Sequence, residues 1–392
     1  MKKILIFSLA YYPRHVSGAE AAIKEITDRI DPSDIEFHML TLRFDAHDLR
    51  TEKVGNVIVH RVGIGPSYLS KILFIPLSVL QGIYFCWKYK IDAVWSMMTY
   101  MLFPIAVMRL VGVRTPYLLT LQDGDPYSKV FGRRFIKPLL PILDYGFRYA
   151  SLVQAISRSL AEWPRKRGFK GQIELVYNGA NPRDIADSVS DAEVEEWKKK
   201  VGKKDGIIYL VNTARLEYQK AHNDVIRALL LLPENIHFLI VGGGTDEEML
   251  KNLVSELGLE SRVIFVGQVD RTEVTMYRKI SDIFVAPSRS EGLGNAFLSA
   301  MASRLPVVAT QEGGLAEFIF DTKHNPDVPQ TAWVVEKDNP QAIARVVLEI
   351  LENPQKAEEV TTYARDMVVE KFNWDMIATD MRRKVFAKVL GE

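Results

Sequence analysis

Short apolar runs alternate with longer segments that carry apolar side chains at helical spacing, and this pattern continues along the whole chain. Such alternation is typical of parallel β-sheets whose strands are connected by helices. The predicted strands of the first half are KILIFSL, EFHMLTL, NVIVHRV, DAVWSM, YLLTLQ and LVQAIS, with IELVYNGAN closing it. Those of the second half are IIYLVNTARL, IHFLIVGGG, RVIFVGQV, DIFVAPS and PVVAT.

The segments between these runs predict helices on the same evidence. Their approximate ranges are 19–30, 68–89, 99–111, 135–149, 221–232, 245–257, 271–280, 294–303 and 340–352. We therefore predict two successive α/β domains, which would form a ligand-binding cleft between them. Their ranges are 1–180 for the first domain, 181–205 for a polar linker, 206–372 for the second domain and about 373–392 for a final helix.

Length and composition fit this organisation. A chain of 392 residues is long enough for two domains, and 47% apolar with 25% charged residues is ordinary for a globular protein. The single cysteine, Cys86, excludes an internal disulfide framework and fits a reducing compartment. The apolar run near the N-terminus reads as a strand, and the longest uncharged run, 72–87, has 16 residues. These features predict a cytoplasmic protein, soluble or peripheral on the inner face of a membrane.

Charge is distributed unevenly along the chain, although the net charge is only +1. Residues 1–180 hold 24 basic and 15 acidic residues, whereas residues 181–392 hold 26 and 34. Within the first half, residues 60–170 carry 16 basic against 5 acidic residues. A basic half attracts anionic partners such as nucleic acid, phosphorylated metabolites or an anionic membrane surface. The alternative is a solvated basic face with no partner.

One stretch, FVAPSRSEGLGNAFLSAMASRLPVVAT at 284–310, places a glycine-rich turn before a helix. The free N–H groups and the dipole of a helix N-terminus make an anion-binding site. A carboxylate, Glu291, nevertheless lies within this turn.

A second motif, NTARLEYQK, brings two cations to the loop after a strand. Arg215 and Lys220 lie five residues apart, which suits a diphosphate because Arg can contact two oxygens and Lys adds a point charge. The alternative is a surface ion pair between Arg215 and Glu217. The VGGG at 241–244 is a weak dinucleotide signal, because the full G-x-G-x-x-G spacing is missing and a tight turn explains it equally well.

Together these motifs and the QEGG at 311–314 resemble the donor domain of retaining GT-B glycosyltransferases, in particular glycosyltransferase family 4. The resemblance covers essentially the whole chain. YYPRHVSGAE is similar to the first loop of that family, VYNGAN to its Asn-Gly turn, and SDIFVAPSRSEG to its strongest signature. The resemblance implies two Rossmann-like domains that face a central cleft, with the C-terminal helix crossing back to the N-terminal domain.

The family also implies roles for individual residues. Arg215, Lys220 and the helix N-terminus would stabilise the donor diphosphate, while Glu291 would accept hydrogen bonds from hydroxyls of the donor sugar. Transfer would be retaining, the leaving diphosphate would take the proton of the acceptor, and no metal or other cofactor would be needed. The residues that the resemblance places against the donor are Gly18, Gly292, Leu293, Gly294, Asn295, Ala296, Ser299, Val269 and Asp270.

Four residues depart from the family pattern or add to it. Ser299 stands where the family has a second Glu that binds the ribose hydroxyls, and a hydroxyl lacks the charge-assisted bidentate contact. Gln122 stands where a His is common, and a Gln side chain does not titrate. Asp123 and Asp125 in DGD imitate a metal motif of the other glycosyltransferase fold. We expect Asp123 to act as a base or orienting group on the acceptor side, or else only to form a turn.

The basic region 60–170 belongs to the half that binds acceptors in this family, which implies a glycan or lipid-linked acceptor. Its apolar segment 68–89 predicts either an interfacial helix on anionic lipid or an amphipathic core helix. Ser299 and Gln122 motivate an alternative, a non-catalytic nucleotide-sugar-binding or scaffold subunit. A nicotinamide-dependent oxidoreductase would rest on VGGG alone, and no motif supports nucleic-acid binding.

Overall fold

The computed structural model describes residues 1–13, 16–63 and 65–392, and these divide into two compact units. The first unit contains Met1–Asn178 together with Trp374–Glu392, and the second contains Gly179–Asn373. The residues predicted as a linker, 181–205, belong to the second unit and form two helices there.

The first unit is built on an eight-stranded sheet. The strands are β1 (Lys2–Phe7), β2 (Ile35–Leu42), β3 (Thr51–Val54), β4 (Val57–Val62), β5 (Ala93–Met97), β6 (Tyr117–Leu121), β7 (Leu152–Ala155) and β8 (Ile173–Leu175). Their order is β3-β4-β2-β1-β5-β6-β7-β8, and all neighbours are parallel except the β3–β4 pair. The central strands are almost fully buried, as expected for a parallel sheet covered by helices.

Helices of the first unit precede or follow these strands. They are α1 (Gly18–Thr27), α2 (Tyr68–Lys88), α3 (Leu102–Leu110), α4 (Tyr127–Gly132), α5 (Leu140–Arg148) and α6 (Arg158–Lys166), with 3₁₀ turns at Thr99–Met101 and Lys137–Leu139. Of these, α2 has 21 residues and contains the uncharged run 72–87 between Lys71 and Lys88, and it is long and apolar enough to cross a membrane by length and composition alone.

The second unit is built on a six-stranded parallel sheet. Its strands are β9 (Ile208–Asn212), β10 (Ile236–Val241), β11 (Val263–Gly267), β12 (Ile283–Ala286), β13 (Val307–Ala309) and β14 (Trp333–Val334). They are arranged in the order β11-β10-β9-β12-β13-β14. Adjacent β9 and β12 lie at the centre, so the loops that follow them emerge side by side from the carboxyl edge of the sheet.

Helices surround the second sheet. They are α7 (Pro182–Ala186), α8 (Asp191–Val201), α9 (His222–Ala228), α10 (Glu247–Glu256), α11 (Arg271–Lys279), α12 (Asn295–Ala302), α13 (Pro340–Glu352) and α14 (Pro354–Lys371). Short 3₁₀ turns occur at Tyr218–Lys220, Leu229–Leu231 and Gly313–Glu317.

This architecture confirms the predicted fold, two α/β units with parallel sheets. Each apolar run predicted as a strand contains one, and the helix predicted at 340–352 has those bounds. The sequence patterns did not predict β3, β14 or the 18-residue α14.

The C-terminal segment packs on the first unit, as predicted. It consists of α15 (Trp374–Asp380), a π-helical stretch (Met381–Phe386) and α16 (Ala387–Leu390). The ring of Phe386 lies 5.1 Å from that of Trp95 and 5.9 Å from that of Phe37. Nε of Arg382 lies 2.6 Å from Oδ2 of Asp34. The last helices therefore complete the core of the first unit.

Replacing Phe386 by Ala tests this attachment. Because Phe386 is fully buried between aromatic rings, we expect its loss to lower the free energy of unfolding by about 3–5 kcal/mol. Denaturant unfolding followed by tryptophan fluorescence measures the change. Met376→Ala, on an exposed residue of the same segment, is the control and should change it by no more than about 0.5 kcal/mol.

Candidate functional site

A buried ion pair joins two loops at the carboxyl edge of the second sheet. Lys220 ends the loop that follows β9, and Glu291 lies in the loop between β12 and α12. Nζ of Lys220 lies 2.6 Å from Oε1 of Glu291, and their side chains are only 14% and 8% exposed. The hydroxyl of Ser288 donates to the same carboxylate oxygen at 2.9 Å. Two of the predicted catalytic residues are therefore in direct contact.

Arg289, which the sequence patterns did not single out, holds the same two loops together. Its backbone N–H donates to the carbonyl of Gln219 at 2.7 Å. Its guanidinium pairs with Asp224 at 2.7 Å and with Asp338 at 2.6 Å, and it donates to the carbonyl of Tyr218 at 2.7 Å. The guanidinium also lies 4.4 Å from the centre of the Tyr218 ring. Arg289 therefore positions the loop that carries Lys220 against the loop that carries Glu291.

Two glycines of the QEGG motif allow a close backbone contact with this loop. A Cβ atom on Gly313 would lie 2.2 Å from the carbonyl oxygen of Glu291, and one on Gly314 would lie 2.1 Å from that of Gly292. The N–H of Gly314 donates to the carbonyl of Glu291 at 3.0 Å. Any larger residue would displace Glu291, so this motif supports the position of the carboxylate.

The N-terminus of α12 follows directly. Gly294 is its N-cap residue, with φ of 104°, and no side chain caps the helix. The N–H groups of Asn295 and Ala296 have no acceptor among residues 1–13, 16–63 and 65–392, whereas Leu293 is buried. Glu291 does not cap the helix, because its carboxylate contacts Lys220 and Ser288 instead. The uncapped N-terminus of α12 and the carboxylate of Glu291 are thus two separate features of this loop.

Arg215 forms the surface ion pair with Glu217 that the sequence offered as the alternative to a diphosphate contact. Its guanidinium pairs with Glu217 at 2.6 Å, and its side chain is 61% exposed. The loop around it packs against the glycines of VGGG: a Cβ on Gly244 would lie 2.2 Å from the carbonyl oxygen of Leu216. Close packing of backbone therefore explains those glycines without a dinucleotide.

His222 begins α9 beside Lys220. Burial, together with a smaller effect of the nearby charge of Lys220, lowers the pKa of His222 to about 3. The imidazole is therefore neutral at physiological pH, and it adds no second positive charge next to Lys220.

Ser299, the position that departs from the family pattern, makes internal hydrogen bonds. Its hydroxyl donates to the carbonyl of Asn295 at 2.9 Å and accepts from the N–H of Asn181 at 3.0 Å. The side chain is almost fully buried. Val269 and Asp270, which the resemblance places against the donor, lie in the loop before α11, where Val269 is half-buried and Asp270 is exposed.

The predicted acceptor-side residues lie at the carboxyl end of β6 in the first unit. The side-chain carbonyl of Gln122 accepts from the amide of Asn178 at 2.9 Å. Asp123 accepts from the hydroxyl of Thr99 at 2.9 Å and from its backbone N–H at 3.3 Å. Burial raises the pKa of Asp123 to about 6, and the hydrogen bonds from Thr99 oppose this shift. Neighbouring Met98 has φ of 69° and ψ of 162°, a strained backbone that often occurs at functional sites.

The two carboxylates of DGD have separate partners. Asp125 pairs with Lys129 at 3.0 Å and with Arg133 at 3.1 Å, whereas Asp123 is bound by Thr99. Across the described ranges, no group of three or more His, Cys, Asp or Glu side chains could hold a metal ion. Gly18 is the exposed first residue of α1, and residues 14 and 15 of the same motif lie outside the described residues.

Two family models match the chain. The model for glycosyl transferases group 1 matches residues 193–367, and the model for glycosyltransferase family 4 matches residues 16–184. A glycosyltransferase of Methanocaldococcus jannaschii is 28% identical over 96% of this chain and 96% of its own length. A GDP-mannose-dependent phosphatidylinositol monomannoside mannosyltransferase of Mycolicibacterium smegmatis is 30% identical over 42% of this chain and 44% of its own length.

Solved structures of other proteins share the fold of this chain. Sucrose-phosphate synthase from Thermosynechococcus elongatus superposes with a TM-score of 0.84 at 21% identity, covering 99% of this chain and 100% of its own. HepE of Anabaena, in complex with UDP-glucose, gives a TM-score of 0.80 at 19% identity, again over 99% and 100%.

Removing Arg289 tests its positioning role. Arg289→Ala leaves the carboxylate of Asp224 buried without its cation, so we expect the free energy of unfolding to fall by about 3 kcal/mol. Denaturant unfolding measures this change. The control, Lys251→Ala, removes an exposed ion pair of the same unit and should cost no more than about 0.5 kcal/mol. Equal small effects of both variants would contradict the role of Arg289.

The raised pKa of Asp123 predicts a pH dependence of stability. Between about pH 4 and pH 6 the folded state holds a proton on Asp123 that the unfolded chain has already released, so stability falls as the pH rises through this window. Asp123→Asn removes this dependence and still leaves an acceptor for Thr99. Thermal unfolding from about pH 4 to pH 7 should favour the variant over the wild type by an additional ~2 kcal/mol at the upper end. Parallel pH profiles of the two proteins would refute the prediction.

Proposed function

Since this chain belongs to glycosyltransferase family 4 and is a glycosyltransferase with the GT-B fold, we propose that it transfers a sugar from a nucleoside-diphosphate sugar to a glycan or lipid-linked acceptor. The observation that carries the proposal is the contact between Lys220 and Glu291 immediately before the N-terminus of α12. A cation and unpaired N–H groups suit an anionic part of a ligand, and a carboxylate suits a part rich in hydroxyl groups. All of these groups lie at the carboxyl edge of the second sheet. Two similar proteins support this donor class, since the mannosyltransferase of Mycolicibacterium smegmatis is GDP-mannose-dependent and HepE of Anabaena was solved in complex with UDP-glucose.

The diphosphate and the sugar of the donor molecule bind to different groups of this site. The N–H groups of Asn295 and Ala296 bind the diphosphate together with Lys220, and Arg215 joins them by leaving Glu217, since its exposed side chain is free to move. Glu291 accepts hydrogen bonds from sugar hydroxyls. Lys220 then exchanges its ion pair with Glu291 for one with the phosphate, which leaves the carboxylate available to the sugar.

The reaction is retaining and needs no metal. The bond between the anomeric carbon and the diphosphate oxygen breaks, and a bond from that carbon to the acceptor oxygen forms on the same face. The acceptor proton moves to the departing diphosphate, so the atoms and charges balance without an enzymatic nucleophile. Lys220, Arg215 and the dipole of α12 stabilise the negative charge that develops on the leaving group.

Asp123 orients the acceptor in this proposal, with Gln122 beside it. Thr99 holds one oxygen of Asp123. The raised pKa brings the group closer to neutrality than an ordinary carboxylic acid, which suits a residue that exchanges hydrogen bonds with an acceptor hydroxyl.

Two observations favour a second candidate, a subunit that binds a nucleotide sugar without turnover. Ser299 bonds to Asn295 and Asn181, and Gln122 bonds to Asn178. Both departures from the family pattern therefore make hydrogen bonds within the fold. Turnover distinguishes this candidate from the enzyme.

Calorimetric titration with UDP, GDP, ADP and their sugar conjugates tests the donor site. We expect Lys220→Ala to weaken binding of the preferred nucleoside diphosphate by about 10- to 100-fold, since a charge-assisted bond is worth roughly 1.5–3 kcal/mol. Glu291→Ala should bind the same nucleoside diphosphate at least as tightly as the wild type, because Lys220 loses its competing partner. The same variant should lose the additional affinity that the sugar provides.

The matched control is the exposed pair of Lys251 and Glu247 on the same unit, whose replacement by Ala should leave both affinities unchanged. Equal binding by wild type and Lys220→Ala would refute the site. Tight binding of a nucleotide sugar without release of the nucleoside diphosphate, with or without a chelator and across glycan and lipid acceptors, would favour the non-catalytic candidate.

A further inference from the structure

Helix α2 is apolar on both of its faces. Its inner face is buried through Phe74, Val79 and Phe85. Its outer face is solvent-exposed yet equally apolar, with Leu80 67% and Trp87 79% exposed. We call this outer face the α2 outer face, and it consists of Leu69, Ile72, Leu73, Leu77, Leu80, Tyr84 and Trp87. A surface helix of a soluble domain normally presents polar side chains there, so an exposed apolar stripe of this length indicates a binding surface.

The inner face fixes α2 along its length on the first unit. A Cβ atom on Gly82 would lie 2.7 Å from both Cζ of Phe7 in β1 and Sδ of Met108 in α3, so the helix backbone lies directly on these elements. Only 28% of its most apolar window is buried. A helix that crossed a bilayer would have to leave this contact and expose Phe7 and Phe74. The packing therefore favours a helix that lies flat against an apolar partner.

The charged residues of the sequence segment that contains α2 are all basic. No acidic residue occurs between Glu52 and Asp92, whereas Lys71, Lys88 and Lys90 lie in or next to the helix. Nζ of Lys88 lies 5.2 Å from the centre of the Tyr84 ring. Lys71 and Lys88 thus place positive charge on α2 itself.

A second segment extends the surface at the start of the helix. The ring of Tyr68 lies 6.2 Å from that of Phe135, which is itself 52% exposed. Exposed Arg134 and Lys137 flank Phe135. In an anionic membrane, apolar and aromatic side chains can contact the acyl chains, while the neighbouring cations contact the headgroups.

We propose that the α2 outer face, with Phe135, Arg134 and Lys137, docks the protein on the surface of an anionic lipid bilayer. Charge complementarity selects this partner, because Lys71, Lys88, Arg134 and Lys137 can attract anionic headgroups while the apolar side chains of the α2 outer face reach below them. Docking does not depend on the proposed sugar transfer, so it can be measured without any nucleotide.

Flotation of the full chain with lipid vesicles tests the proposal. The vesicles are phosphatidylcholine alone and phosphatidylcholine with about one-third phosphatidylglycerol. We expect the wild type to float with the anionic vesicles and to stay in solution with the neutral ones. Leu69→Glu with Leu80→Glu should weaken binding at least about tenfold. The two leucines would enter the membrane on docking, whereas carboxylates at these positions are repelled by the anionic headgroups. Arg134→Glu with Lys137→Glu should also weaken it, and added salt should do so in the wild type.

The matched control replaces two exposed leucines of the second unit by Glu, Leu230 and Leu231, which are 53% and 52% exposed. This variant should float like the wild type, and thermal unfolding should show all variants folded. Wild type that stays in solution with anionic vesicles would overturn the proposal, as would equal flotation of the Leu69/Leu80 variant and the control. A lipid-free dimer that Leu69→Glu with Leu80→Glu converts to a monomer would instead assign the surface to a second copy of this chain.

Discussion

The ion pair between Lys220 and Glu291 is the constraint around which the second unit is organised. Both side chains are largely buried, and removing either partner would leave an uncompensated charge away from water. The loops after β9 and β12 must therefore meet, and the surrounding residues ensure that they do. Arg289 binds the first loop through the carbonyls of Gln219 and Tyr218, and Gly314 admits the backbone of the second. The adjacent positions of β9 and β12 in the sheet make this meeting possible.

The same pair explains how one strand edge can hold a carboxylate and still attract an anion. In isolation, Glu291 would repel a phosphate from the N-terminus of α12. Lys220 neutralises it, and the hydroxyl of Ser288 donates to the same oxygen. Because His222 is neutral through burial, it adds no charge to this balance. In the proposed donor site the N–H groups of α12 therefore accompany a neutral ion pair instead of an isolated carboxylate, and Lys220 is the cation that exchanges Glu291 for an arriving anion.

The sequence predicted the parallel strands well, because strands buried on both sides read as continuous apolar runs, as IHFLIV does in β10. It did not predict β3, whose side chains alternate between exposed and half-buried, or α14, which begins at a proline and has a weakly apolar face. Motif spacing identified Lys220 and Glu291, which the fold brings together. The contacts of Arg289 with Asp224, of Thr99 with Asp123 and of Ser299 with Asn181 could not be predicted, because 65, 24 and 118 residues separate the partners and only the tertiary structure joins them.

Helix α2 shows that stability alone does not explain every apolar residue of this chain. A leucine that stays exposed in the folded state gains little from folding, since the hydrophobic effect rewards only surface removed from water. The inner face, with Phe74 and Phe85, is sufficient to attach the helix to the sheet. Polar side chains at Leu80 and Trp87 would leave that attachment intact and would improve solubility. Folding of the chain therefore does not account for the apolar outer face, whereas the proposed docking on an anionic membrane accounts for both the apolar side chains and the neighbouring lysines and arginines.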